Sequence, residues 1–181
     1  MSTLRVDNLN ARTGTTITVP TGTKMYLPGH VINVYNVVKT DTFTTSSVTP
    51  VAVTGLSLTV TPTTSNSKFL VTYAVPVSIQ GGAYSGQIRL RRNGSDIAIG
   101  DTAGNRNRST SFIWSDYYGY QMQEATKSIL DSPASASDVT YAVWFGSPYG
   151  NAIYINRSYA DADSTSYGVS VSTLTVLEIA Q

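Results

Sequence analysis

From Val31 onward, apolar residues recur at every second position, the spacing of strands with one buried face. Phe69, Val71, Tyr73, Val75, Val77 and Ile79 share one parity, while Thr72, Ala74, Ser78 and Gln80 take the other. This predicts one long strand, with Pro76 marking an edge or a bulge because proline brings no N–H to a ladder. Leu56, Leu58 and Val60 alternate with Ser57, Thr59 and Thr61, whereas Val51 and Val53 have the opposite parity. Gly55 stands between the two sets, where a bulge re-aims the strand. Ile88 and Leu90 lead into Asn93-Gly94, a type I′ hairpin signal, followed by Ile97 and Ile99. Phe112 and Trp114 mark another strand, Val139 to Phe145 a further one, and Ile153 with Ile155 one more. The last strand begins at Val169 and Val171 and becomes apolar on both parities at Leu174, Val176, Leu177 and Ile179. A strand apolar on both sides belongs in a sandwich interior or at a subunit interface.

Turn clusters separate these runs: Pro62 to Ser67, Gly81-Gly82, Gly100 to Gly104, Pro133 to Asp138, Pro148 to Asn151 and Asp161 to Gly168. No stretch keeps a 3.6-residue period, and no tandem repeat is visible. About eight strands with regular turn spacing predict an all-β, antiparallel sandwich of jelly-roll type. Pro28-Gly29 divides a strand-poor leader, residues 1–28, from a head domain, residues 29–181.

The leader opens "MSTLRVDNLNARTGTTITVPTG", with Leu4, Val6, Leu9, Ile17 and Val19 as its apolar content. Burying five such side chains does not offset the entropy of ordering so long a segment. Its order therefore requires another surface, either the rest of the chain or a second copy, and these five residues are the ones expected to meet it.

The 181 residues suffice for one well-buried domain with a small appendage. A formal charge of +1 and a charged fraction of 13% exclude the strong basic field of a general nucleic-acid binder. There is no cysteine, hence no disulfide and no thiolate metal site. Met1 runs into a polar stretch without a signal-peptide core, and no apolar run has the length of a membrane span. These features lead us to expect a product made in the cytoplasm and not inserted in a membrane.

Candidate chemistry is sparse. His30 is the sole histidine, at the leader–head junction, and reads as a boundary residue; no catalytic residue is assigned. One histidine without cysteine leaves no zinc site, and no metal or cofactor is expected. The carboxylates are mostly loop aspartates suited to turns and caps, so a carbohydrate-cleaving enzyme is a minor reading. Asp161 to Ser164, "DADS", could offer oxygens to calcium but reads as a solvated loop. Arg89, Arg91 and Arg92, with Arg106 and Arg108 further on, form the basic concentration. Arg89 and Arg91 fall on the strand face opposite Ile88 and Leu90, a solvent-facing surface; guanidinium forks could also grip a neighbour's carboxylates or an anionic glycan. Sequons occur at Asn93, Asn107 and Asn156, and they matter only in a secreted eukaryotic protein.

Tyrosine is abundant, 12 residues, and clusters around Gly119 as Tyr117, Tyr118 and Tyr120. Amphipathic rings suit binding surfaces and stacking against sugars, so these three are the candidate ligand-binding residues; the plainer reading is that tyrosine favours half-buried strands.

Three stretches together carry a resemblance. The leader through "VINV", the middle "SNSKFLVTYAVPVSI" and "IRLRRNGSDIAIGD" with "LDSP" and "VTYAVWF", and the ending "STLTVLEIAQ" resemble tailed-bacteriophage fibre and virion surface proteins. The resemblance covers nearly the whole chain and contains no site motif. It implies a homotrimeric jelly roll of the tumour-necrosis-factor or C1q type, with Leu4, Val6, Leu9, Ile17 and Val19 as trimer or virion contacts, a virion location, and partners among other virion proteins and host-surface glycan. A non-enzymatic fibre head for host attachment is the first expectation. A capsid decoration (cement) protein anchored by its leader and stabilising the head shell is the alternative.

Overall fold

The computed structural model describes residue 21 and residues 27–81, 84–114 and 119–181. Leu4, Val6, Leu9, Ile17 and Val19, together with Tyr117 and Tyr118, lie outside the described residues.

The described chain forms eleven strands and no helix. In order they are β1 (Val31–Lys39), β2 (Phe43–Thr45), β3 (Val51–Val60), β4 (Lys68–Ile79), β5 (Ser85–Arg92) and β6 (Ser95–Ile97). There follow β7 (Ser111–Trp114), β8 (Gln123–Asp131), β9 (Val139–Gly146), β10 (Ile153–Ile155) and β11 (Ser172–Ile179). Every ladder between them is antiparallel.

In the first sheet β1, β11, β4 and β8 lie side by side, and β10 with β2 extends the β11 side of β4. In the second, β3, β9 and β5 are neighbours, and the free edge of β5 is shared by β7 at Ser85–Ile88 and β6 at Leu90–Arg92. The sheets also meet at both margins, where β1 lies against β3 and β7 against β8.

Alternation fills the space between them. Phe69, Val71, Tyr73, Val75 and Val77 of β4 and Leu174 and Val176 of β11 face Ile88, Leu90, Val139, Tyr141, Val143 and Phe145, all buried. The Phe69 and Tyr141 rings meet across the core at 6.0 Å with planes inclined 55°. Removing water from this set is the main stabilising term, about 1.5–3 kcal/mol for each large side chain.

Local signals behave as their chemistry requires. Asn93 and Gly94 both have positive φ, 48° and 81°, and close the β5–β6 hairpin between Arg92 and Ser95. Gly55 has φ +87° where the β3–β9 register shifts between Ala52 and Ser57, so the parity change there is a bulge.

Three differences from the sequence pattern have physical causes. Pro76 lies in β4, which is central rather than an edge. The β11 ladder ends at Ala74 and the β10 ladder begins at Val77, so the proline falls in the gap between them. Its carbonyl accepts the Asn156 N–H at 3.1 Å. The strands β2 and β8 have too little alternation to be foreseen, the first being three residues long and the second an exposed edge. Val169 makes only an isolated bridge to Arg157 and is 81% exposed, so the last strand starts at Ser172.

Candidate interaction surface

The outer face of the first sheet is built by the register of four strands. Val34 of β1 stands opposite Leu177 of β11, which stands opposite Leu70 of β4, opposite Leu130 of β8. Directly paired residues project to the same side, so these four make an apolar row across the sheet. Val34 is 68% exposed and Leu130 56%. The next row inward from Leu130 is Asn36, Thr175, Thr72 and Ser128, whose hydroxyls and amide bond to one another: Thr175 Oγ1 donates to Asn36 Oδ1 at 2.8 Å, and the Thr72 and Ser128 hydroxyls are 2.7 Å apart. A third row is Val38, Thr173, Ala74 and Thr126. No charged side chain occurs in these three rows. A water-facing sheet ordinarily carries charges there, and blunting an edge usually takes lysine.

The last strand is thus apolar on both faces for two separate reasons. Leu174 and Val176 are in the core, and Leu177 belongs to the outer row.

Glu178 is the buried exception on β11. Its carboxylate accepts hydrogen bonds from the Thr63 N–H at 2.6 Å, the Ser67 hydroxyl at 2.7 Å, the Thr63 hydroxyl at 3.0 Å and the Asn33 amide. Burial alone works to raise its pKa, but the bonds from Ser67, Thr63 and Asn33 outweigh it and hold the carboxyl below the ordinary range. The group fastens the β3–β4 loop to β1 and β11 at one end of the β1–β11 ladder.

At the other end Asn156 is fully buried with φ 66°. Its amide donates to the carbonyls of Lys39 at 2.8 Å and Asp41 at 2.9 Å, and its Oδ1 accepts from Ser172 at 2.6 Å. It is a structural hub, so of the three sequons this one is closed to modification.

The opposite, outer face of the second sheet is charged and aromatic. Asp96 of β6 accepts from Arg91 Nε at 2.6 Å and Arg89 Nη1 at 2.7 Å, and the Arg91 guanidinium lies 4.0 Å from the Trp144 ring centre. Burial opposes the charge on Asp96, yet the two arginines keep its carboxyl below the usual range. Arg89 and Arg91 do share the face opposite buried Ile88 and Leu90, as the pattern predicts, but they are half-buried and committed to Asp96.

Of the predicted binding residues, Tyr120 is described. It is half exposed, and its carbonyl accepts from the Ser158 hydroxyl at 3.3 Å. His30 is exposed, and its backbone pairs with Leu27 and Ala180. In the "DADS" loop Asp161 pairs with Arg157 at 3.1 Å. Among the described residues no group of three or more His, Asp or Glu side chains could hold a metal ion, and no helix is long and apolar enough to cross a membrane. What sequence reasoning missed was the row itself; Val34 and Val38 on the parity opposite Tyr35 and Val37 were the available signal. No protein-family model matches the chain, and no curated protein matches it.

Proposed function

We propose that the chain is a non-enzymatic virion structural protein of a tailed bacteriophage, a homotrimeric jelly-roll head of tail-fibre type that contacts host-surface glycan. Strand pairing supports the jelly-roll part. Taking β1, β3, β4, β5, β7, β8, β9 and β11 as the eight main strands, the first pairs with the last, the second with the seventh, the third with the sixth and the fourth with the fifth. That nesting is what two Greek keys wrapped as a sandwich produce.

The observation that carries self-association is the uncharged outer face with its row Val34, Leu177, Leu70 and Leu130. Four strands by six residues measure roughly 19 Å by 20 Å, or about 400 Å² in projection. A standard interface takes about 800 Å² from each partner, so the face supplies about half. In this reading the leader supplies the rest. The three-fold number and the virion setting come from the resemblance.

The test is immunoelectron microscopy of particles of the phage that encodes the chain. Label on the tail supports the fibre head, label on the shell favours the decoration protein, and particles without label remove the virion reading.

A further inference from the structure

The side of the sandwich away from the apolar row carries a second concentration of uncommitted chemistry. Phe112 and Trp114 project outward from β7 and are 50% and 47% exposed, an unusual placement for two large rings in a strand. Gln87 of β5 is flanked by Phe112 on one side and Gly146 on the other, so only β5 separates β7 from the turn after β9. Tyr149 in that turn is 61% exposed, and its ring meets Tyr84 at 5.8 Å, inclined 53°. Phe112, Tyr149, Asn105, Arg106 and Asn107 line one open depression of about 420 Å³. Small-molecule sites occupy about 300–1,000 Å³.

The arginines of this region are otherwise engaged. Arg89 and Arg91 bind Asp96, Arg92 binds Asp131, and Arg108 Nε donates to the Gly100 carbonyl at 2.6 Å. The Arg106 guanidinium has no acceptor among the described residues.

We propose that this depression is a subsite for an anionic saccharide, a sugar unit bearing a carboxylate. The faces of Phe112 and Tyr149 receive the apolar face of a pyranose, the Asn105 and Asn107 amides offer donors and acceptors to its hydroxyls, and the Arg106 fork takes the carboxylate. A nucleic-acid strand would need a series of cations along a groove, and a single free guanidinium beside neutral amides does not provide one. The choice of a saccharide rests on the proposed glycan-contacting head. Tyr120, the described member of the tyrosine cluster after β7, does not line the depression. Were the apolar row covered by self-association, this side would remain open to solvent.

The experiment is an array of bacterial capsular polysaccharides and lipopolysaccharides, probed with labelled full-length chain before and after carbodiimide reduction of sugar carboxylates to alcohols. The capsular and lipopolysaccharide arms separate the two sources of the same chemistry. Expected is binding to uronic-acid-bearing members that reduction abolishes. Arg106→Gln and Tyr149→Ala should each weaken it at least about tenfold, with thermal unfolding unchanged because both side chains lie outside the core. Glycan binding that neither variant weakens overturns this site and leaves the glycan-contacting reading standing. Binding confined to neutral glycans, or insensitive to reduction, overturns the anionic class. If the chain binds neither the array nor intact host cells, the glycan-contacting reading fails and takes this subsite with it.

Discussion

Arg92 of one sheet holds Asp131 of the other, its Nη1 lying 2.8 and 2.9 Å from the two carboxylate oxygens. The Tyr141 hydroxyl donates to the same carboxylate at 2.7 Å, so three strands of the sandwich converge on one partly buried charge. Burial, and then the neighbouring Asp131, push the Tyr141 phenol far above its ordinary pKa, keeping it a donor throughout the accessible range. Removing Asp131 leaves a core hydroxyl and a guanidinium without an acceptor. Asp131→Ala should cost about 2–4 kcal/mol and Tyr141→Phe about 1 kcal/mol. Urea unfolding of the pair tests the link: in the Asp131→Ala background the Tyr141→Phe penalty should vanish, and simple additivity would contradict it.

Glu178 gives the fold a dependence on acid. Folding lowers its pKa, so the unfolded chain binds the proton more readily and acid favours unfolding. Its contribution is fully present above the unfolded carboxylate value, about 4.3, and is lost as pH falls through the lower folded value. Glu178→Gln should lose about 1–3 kcal/mol near neutral pH and lose less on further acidification. Melting temperatures followed from neutral pH into the acid limb check this; parallel curves for variant and native chain would show that Glu178 is not responsible.

Asn156 combines a left-handed backbone with three buried hydrogen bonds. Asn156→Ala should cost about 3 kcal/mol or more, from unpaired Lys39 and Asp41 carbonyls and from strain at φ 66°. Asn156→Gly removes the strain but not the lost bonds, so it should be less damaging by about 1 kcal/mol. Equal losses in denaturant titrations would mean that the backbone conformation contributes nothing there.

The strands that were legible were those with one face wholly in the core. In β4 and β9 every second residue is buried, and Asn93-Gly94 fixes a hairpin through its own backbone preferences. In β8, "QEATKSILD", the inward positions are Ala125, Lys127, Ile129 and Asp131, too mixed to alternate, because an edge strand is stabilised by its ladder to β4 more than by burial. The orientation of β7 depends on a space invisible in one dimension. Ile113 turns inward because Gly86, its partner on β5, has no side chain; a Cβ there would sit 3.1 Å from Ile113 Cγ1. Phe112 and Trp114 are consequently outside, and the depression that Phe112 borders could not be foreseen from parity. Glu178 likewise reads as a surface carboxylate until the β3–β4 loop is folded over it.

The outer row is the central matter. Val34→Glu with Leu130→Glu places charges on the face proposed to meet its copies, and both native side chains are more than half exposed, so folding should be nearly unaffected. The most direct measurement is sedimentation equilibrium of the full chain at micromolar concentration. The account predicts a mass three times that of the 19.4 kDa chain, falling to the single-chain mass in the double variant with its melting transition retained. A native chain that sediments as a monomer, or a variant that stays trimeric, would contradict it.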